Sequence, residues 1–476
     1  MTKDSHIYFL TTDPQDPFLA QFLPPVALQG TNDIRTVVVD KERILRKVKS
    51  LELEAHDLLI VGDDQFNARR LHRRTSAAIL AIRLGLDGYP PSTHEYSQEV
   101  QDKFVATGFK IALWSNGQLT PLLEFRHKTC PTAAENAAQQ IMRAGTAVAN
   151  CAAAWRSEGT LHPSRTGRLP VAKLKSRFLS WWRRPTLRPR RSHVLGPAPT
   201  PRGPAPFTTE RWVLGVAEGS PLSVDFANHY QIAAPEGSWI ADPFVVEYRD
   251  IRCILVEEFD ETLGKGRISY LRQSPDGRFE GPLTALTEPF HLSFPWTFEF
   301  EDTLWMVPET RESGSVRLYR CESFPDKWTF ERELLSIGGV DPIIIQENGL
   351  WYLFVTFDPL DPNETYSELH VFATEDPVSG DWRSLPGNPQ ICDPRSGRNG
   401  GMFKIDGEWY RIGQCQDFSE YGNSLAIYKI IQLDSAGYSE QFVQAKRASW
   451  PGAWKGPHHL SSQSGLTVFD YVIDEQ

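Results

Sequence analysis

Cysteine is scarce in this chain of 476 residues. Its six cysteines, at 130, 151, 253, 321, 392 and 415, form no pair with zinc-ligand or redox spacing. That argues against a disulfide framework and points to free thiols in a reducing compartment. No His/Asp/Glu cluster has convincing metal spacing, so neither a metal nor another cofactor is expected. Long apolar runs are also missing; none approaches the ~18 residues of a spanning helix. The opening residues, MTKDSHIYFLTTDPQDPF, lack the apolar core of a secretion signal. The cytoplasm is therefore the expected location. Excess positive charge is lacking as well. A net charge of −10 speaks against nucleic acid as a partner. A glycine-rich phosphate loop is not found; GKGR at 264–267 is too short and is read as a turn.

What the chain does contain falls into three stretches. Residues 1–157 read as an α/β domain. HIYFL, RTVVVD and DLLIVG have the pattern of buried strands. RRLHRRTSAAILAIRLGL is helical in pattern, and a longer helix is expected after Thr132, which with Glu135 has capping-box spacing. VGDDQF follows a strand and reads as a turn.

Residues 158–209 form a basic, proline-rich linker. From 159 onward it holds eleven Lys/Arg, nine Pro and no acidic residue. Subtracting +11 from −10 leaves the remainder of the chain near −21. Within it, residues 171–184 place Val171, Leu174, Phe178, Trp181 and Trp182 on one face if helical. Three readings stay open: a solvated linker whose aromatics pack on a neighbouring domain, peripheral contact with an anionic membrane at its inner face, or contact with a protein partner.

Residues 210–476 are all-β in pattern, with short apolar-alternating runs cut by Gly, Asp, Asn and Pro. They repeat. ADPFVVEYRDIRCILVEEF starts at 241, FPWTFEFEDTLWMVPET at 294, VDPIIIQENGLWYLFVTF at 340 and NGGMFKIDGEWYRIGQCQD at 399. GPHHLSSQSGLTVFDYV, from 456, is a weaker fifth copy. The spacing is that of one propeller blade. A five-bladed β-propeller is expected, with RWVLGVAEGSP near 211 closing the ring.

In a propeller the first strand of each blade lines the channel, and its start lies beside the end of the second strand. Ungapped alignment of the repeats puts Asp242, Phe294, Asp341 and Gly400 at first-strand starts. It puts Glu257, Glu309, Thr356 and Cys415 at second-strand ends. Glu258, Gln414, Gln416 and Asp417 are immediate neighbours, and His458 and His459 come from the last copy. Carboxylates around one mouth raise each other's pKa, and an Asp/Glu pair is the minimal machinery of glycosidic cleavage. Trp239, Phe294 and Trp296 offer faces for stacking on sugars. Arg395, Arg398 and Asn399 offer donors for a hydroxyl, a phosphate or an acidic sugar. The competing reading of Asp242 is structural, since Asp-Pro commonly opens a turn. Of Glu257 and Glu258, strand alternation sends one inward and its neighbour out.

The segments SWIADPFVVE, LVEEFD, HLSFPWTFE, MVPET, GGVDP, LWYLFVT, RNGGMF and GPHHLS resemble a propeller domain found in bacteria. That domain also forms the N-terminal part of plant glucosamine inositolphosphorylceramide transferases. More distantly, the Asp-Pro at a first-strand start resembles five-bladed glycosidases of the arabinanase, invertase and levansucrase type. That resemblance implies Asp242 as base or nucleophile. Asp341 resembles the second carboxylate by blade position only, and no Glu-Gly-Pro acid motif is present, so Glu309 stands in for it. In the plant proteins the transferase domain lies after the propeller and is not part of this chain. Residues 1–157 are similar to a degenerate formyltransferase-like domain without its Asn, His and Asp constellation. The expectation is a carbohydrate-active protein acting at an anomeric carbon of a glycan or glycoconjugate, with Asp242, Glu309, Asp341 and Glu257 or Glu258 as its carboxylates. The alternative is a non-catalytic glycan-binding or scaffolding propeller.

Overall fold

The computed structural model describes residues 211–359, 362–415 and 421–473, and, before them, six strands and scattered positions within residues 6–161. The chain divides into two compact units, Met1–Ala198 and Pro199–Gln476. The segment 171–184, the capping pair Thr132 and Glu135, and Gln416 and Asp417 lie outside the described residues.

The first unit is built on one mixed sheet. Its strands are β1 (Ile7–Thr11), β2 (Ile34–Val38), β3 (Leu58–Gly62), β4 (Ala78–Leu84), β5 (Ala106–Ser115) and β6 (Gln118–Lys128), in the order β2-β1-β3-β4-β5-β6. The first four run parallel, and β5 and β6 are antiparallel. The three expected strands are present. The helix expected across residues 69–86 is corrected: its apolar half is β4. Residues 77–82 are all buried and β4 pairs on both sides, so it has no polar face to give it a period. Positions such as Asn136, Gln140 and Arg143 are helical. The rest of the long helix falls largely outside the described residues.

The second unit is a five-bladed β-propeller. β7 (Trp212–Glu218) and β8 (Tyr230–Ile232) come first. Blade one is β9 (Ser238–Tyr248), β10 (Ile251–Asp260), β11 (Lys265–Gln273) and β12 (Phe279–Leu286). Blade two is β13 (Ser293–Phe300), β14 (Thr303–Glu309), β15 (Val316–Ser323) and β16 (Lys327–Leu335). Blade three is β17 (Val340–Glu347), β18 (Leu350–Thr356), β19 (Glu368–Thr374), β20 (Arg383–Ser384) and β21 (Ile391–Cys392). Blade four is β22 (Arg398–Ile405), β23 (Glu408–Cys415), β24 (Ser424–Asp434) and β25 (Gly437–Lys446). Blade five joins the two ends of the unit. β26 (Ala453–Lys455), β27 (Leu460–Gln463) and β28 (Leu466–Ile473) come from its end, and β28 pairs with β7. The segment near 211 thus closes the ring as expected. Residues of neighbouring blades share one core, with Phe244, Phe294, Ile343, Tyr352 and Met402 in a single buried cluster.

The four clear repeats share a backbone device. Asp242-Pro243, Phe294-Pro295, Asp341-Pro342 and Gly400-Gly401 each place two residues opposite one on the second strand. These are β-bulges. Left-handed backbone occurs at Asp242, Phe294 and Asp341, with φ of 48°, 49° and 50°, and at Gly401, with φ of 121°. Aspartate tolerates that region; phenylalanine pays for it in strain. The bulge re-aims the residues at each strand start toward one end of the ring.

Gly401 shows how tightly this device is built. A Cβ there would lie 2.1 Å from the Leu460 carbonyl oxygen. Gly401→Ala is expected to destabilise the propeller by more than about 1 kcal/mol, read as a lower urea midpoint, whereas Gly407→Ala at an open hairpin tip should cost less.

Candidate functional site

All five blades bring side chains to one mouth. Blade one supplies Asp242 and Glu257, blade two Glu309 and blade three Asp341. Blade four supplies Arg398, Gln414 and Tyr421, and blade five His458 and Asp470. The bulges explain the convergence. Glu257 pairs with Ala241, and Glu309 with Ser293, each directly beside a bulge.

Asp242 is held from blade five. Its backbone N–H donates to Asp470 Oδ2 at 3.0 Å. Its Oδ1 lies 3.4 Å from His458 Nε2 and is buried without a hydrogen-bond partner in the protein. His458 Nδ1 is 2.9 Å from Asp470 Oδ1. An Asp470–His458–Asp242 line results. Burial opposes charging His458, but the carboxylates of Asp470 and Asp242 outweigh it and raise its pKa. Burial alone would raise the Asp470 pKa; His458 and its bonds hold it low. Burial pushes Asp242 up to about 7, against the pull of His458 and with help from the nearby Asp341 and Asp470 charges.

Asp341 is clamped from blade four. Arg398 donates to it through Nε at 2.5 Å and Nη2 at 3.4 Å, and Gln414 Nε2 donates at 3.0 Å. Asn399 Nδ2 donates to the Asp341 carbonyl at 2.9 Å. Burial raises the Asp341 pKa to about 7 although Arg398 opposes it. Glu309 lies 3.7 Å from Arg398 Nη2, and its Oε2 is buried without a hydrogen-bond partner. Burial raises its pKa too, again against Arg398. Glu257 is pushed well above the usual range by burial and by the Asp242, Glu309, Asp470 and Asp341 charges.

Several expected site residues lie elsewhere. Glu258 points away from the mouth into an ion pair with Arg267 at 2.7 Å and a bond from Ser269 Oγ. Alternation along β10 sends Glu257 inward and Glu258 outward. Phe294 is fully buried against Phe244 and His459, so it offers no sugar-stacking face. Trp296 packs on Phe244 and spends its indole N–H on the Ile344 carbonyl at 2.7 Å. His459 sits among Phe244 and Phe294, where burial drives its pKa down to about 3. Arg395 pairs with Asp393. Trp239 is half-buried, stacked on Phe259 at 4.6 Å, beside Tyr421 and Trp212. The position equivalent to Glu257 in blade four is Gly413, the partner of Asn399, rather than Cys415. The fourth hairpin is shorter than the others, which an ungapped alignment misplaces.

Residues not expected from the sequence complete the mouth. Asp470 lies mid-strand on β28, within the weaker fifth copy. Tyr421 faces Arg398, whose guanidinium lies 5.2 Å over its ring. Trp212 packs 4.3 Å from the His458 ring. His291, on the link between blades one and two, lies 3.4 Å from Glu257 Oε1. Only the strand pairing itself could have pointed to Asp470, which the fifth copy carries in VFDYV.

Asp242, His458 and Asp470 place ligand atoms within 4.8 Å of one another, a spacing suited to a cation that the sequence did not lead us to expect. Asp470, however, already accepts from the backbone N–H groups of Asp242, His458 and His459 and contacts His458 Nδ1. Its lone pairs are spent on positioning, so the donor set fits a metal poorly.

A family profile described as "Glucosamine inositolphosphorylceramide transferase 1, N-terminal" matches residues 223–472. Glucosamine inositolphosphorylceramide transferase 1 of Oryza sativa subsp. japonica is 32% identical over 238 residues, covering 48% of this chain and 31% of that protein. The protein of the same description from Arabidopsis thaliana is 32% identical over 233 residues, covering 47% and 30%. The chain spans less than a third of the length of these relatives. A solved structure, the catalytic domain of an α-L-arabinofuranosidase from Coprinopsis cinerea, overlaps with a TM-score of 0.36 and 14% identity, over 55% of this chain and 97% of that one.

The raised Asp242 pKa has a consequence for stability. The folded chain binds this proton more tightly than the unfolded chain, whose carboxyl titrates near the ordinary 3.8. The resulting stabilisation is complete below that value and is lost as pH rises through about 7. Asp242→Asn has no such loss. Its urea midpoint should match the parent chain near about pH 4 and exceed it near about pH 8; an equal difference at both would contradict the buried-carboxyl reading.

Proposed function

Because the chain belongs to the family of glucosamine inositolphosphorylceramide transferase 1 N-terminal domains, we propose that its propeller mouth binds a sugar of a glycan or glycoconjugate and promotes transfer or hydrolysis at the anomeric carbon. The observation that carries this reading is a pair of orphaned acceptors. Asp242 Oδ1 and Glu309 Oε2 come from different blades, and both are buried without a partner in the protein. Leaving such an oxygen unpaired costs about 1–3 kcal/mol. Sugar hydroxyls are the neutral donors that would relieve that cost. Asp242 and Asp341, both raised to about 7, put proton donors and acceptors side by side near neutrality, as acid/base chemistry needs.

In this reading Asp242 is base or nucleophile, oriented by His458 and Asp470. Glu257 or Glu309 is the acid. Asp341, clamped by Arg398 and Gln414, tunes the pair and binds hydroxyls. Trp239 and Tyr421 edge the site. The basic, tryptophan-bearing residues 171–184 support a lipid-linked sugar presented at the cytoplasmic face of a membrane.

The test is turnover. The purified chain is incubated with aryl glycosides, nucleotide sugars and lipid-linked sugars, and products are followed by mass spectrometry. Asp242→Asn should lower turnover by about 10²–10⁴-fold while sugar binding survives. Sugar binding without turnover in both proteins would instead identify a glycan-binding propeller.

A further inference from the structure

The mouth carboxylates differ in one respect that the acid/base assignment above leaves open. Asp242 faces the imidazole of His458, which Asp470 supports. Asp341 and Glu309 share the Arg398 guanidinium. Glu257 faces neither. Its ring neighbour is His291, at 3.4 Å from Nε2 to Oε1.

The tautomer of His291 follows from its other nitrogen. The backbone N–H of Gly266 donates to Nδ1 at 2.9 Å, so Nδ1 carries no proton. The ring is neutral, with its one N–H on Nε2, and that nitrogen lies 3.4 Å from Glu257 Oε1 without a formed hydrogen bond. Burial, together with the Arg398 and Lys265 charges, favours the neutral ring against the pull of Glu312. The approach is tight: a Cβ on Gly266 would lie 2.7 Å from Glu257 Oε1 and 2.8 Å from the His291 ring. Glycine is required here first by the Leu292 carbonyl oxygen, 2.5 Å from that Cβ.

The remaining groups facing Glu257 are the carboxyls of Asp242, Glu309, Asp341 and Asp470, together with the phenol of Tyr421. Among the described residues it is the one mouth carboxylate without a cation in ion-pair range. Four neighbouring carboxyls crowd a group whose one ion-pair-range neighbour among the described residues is a neutral ring. A proton shared among these groups settles where no cation competes with it.

We propose that Glu257 carries the resident proton of the mouth and is the proton donor of the reaction, with His291 as its positioning residue, and that Glu309 is not the donor. This rests on the glycosyl-transfer reading for its catalytic part only. In the step, Glu257 gives its proton to the departing glycosidic oxygen, which keeps the electron pair of the breaking C–O bond. A hydroxyl of water or of an acceptor sugar forms the new bond to the anomeric carbon and gives its proton to Asp242. His291 Nε2–H, 3.4 Å from Oε1, lies on that side of the carboxyl and closes onto Oε1 in the step, which leaves Oε2 to bear the proton.

Infrared difference spectroscopy on the full chain tests the proton assignment without any substrate. At a pH above the Asp242 and Asp341 midpoints, the parent chain should still show a protonated-carboxyl band. That band should vanish in Glu257→Gln and persist in Glu309→Gln. A band that survives in Glu257→Gln overturns the proposal. His291→Ala removes a donor to the ionised form, so the pH at which the band disappears should rise; an unchanged midpoint removes His291 from its role. With an active substrate, Glu257→Gln should lose turnover of alkyl glycosides and retain more of it on aryl glycosides with acidic leaving groups. That pattern in Glu309→Gln instead overturns the assignment. A band on Glu257 with no turnover on any sugar counts against the glycosyl reading alone and leaves the proton where we place it.

Discussion

The rest of the site depends on a two-residue bulge repeated at the start of four innermost strands. An inner strand of regular pleat would send its side chains alternately into the two neighbouring blade cores. The bulge breaks that alternation at one level of the ring. Asp242 and Asp341 take left-handed backbone there, which aspartate accepts at small cost. Gly400 and Gly401 take the same place in blade four, where the carbonyls of His458 and Leu460 leave no room for a side chain. Phe294 accepts the strain in blade two and spends its side chain on the core. One backbone device thus yields carboxylates in two blades, core in another and close packing in a fourth.

Burying several carboxyls together is unfavourable, and the propeller distributes the cost unequally. Arg398 sits between Asp341 and Glu309 and over the ring of Tyr421. Asp470 fixes His458 against Asp242. Each cation serves some carboxyls and leaves others. That inequality separates the pKa values of chemically similar groups, which is what lets acid and base coexist at one pH. A fully satisfied network would be more stable and would have nothing left to offer a ligand.

The architecture was largely readable from residue order. The repeat is visible because every blade uses the same apolar strand, tight turn and aromatic-rich strand, and the closing strand follows from counting what the fifth copy lacked. Asp242, Asp341, Glu309 and Arg398 were readable because each lies on the repeated motif. Asp470 and Tyr421 were not, since one sits mid-strand in an apolar run and the other follows a segment with no period. Glu257 and Glu258 could be ranked only once strand phase was known, because adjacent residues on a strand differ only in facing. Phe294 and Trp296 misled for a related reason: an aromatic beside a bulge can face the mouth or the core, and the bulge decides which. β4 shows the limit of periodicity, since an apolar run buried on both sides carries no sign of strand or helix.

The closure of blade five has a consequence for how the protein is made. Thr467 bonds to the Gly219 carbonyl across 248 residues of chain. On the ribosome, Trp212–Glu218 therefore emerges long before the strand it must pair with, and its edge stays open through the synthesis of four blades. His458 and Asp470 are born with the last strands as well. A nascent or prematurely ended chain can hold most of the propeller and still lack the residues that orient Asp242. Closure of the ring and orientation of Asp242 are therefore coupled, because the strands that close blade five also carry His458 and Asp470.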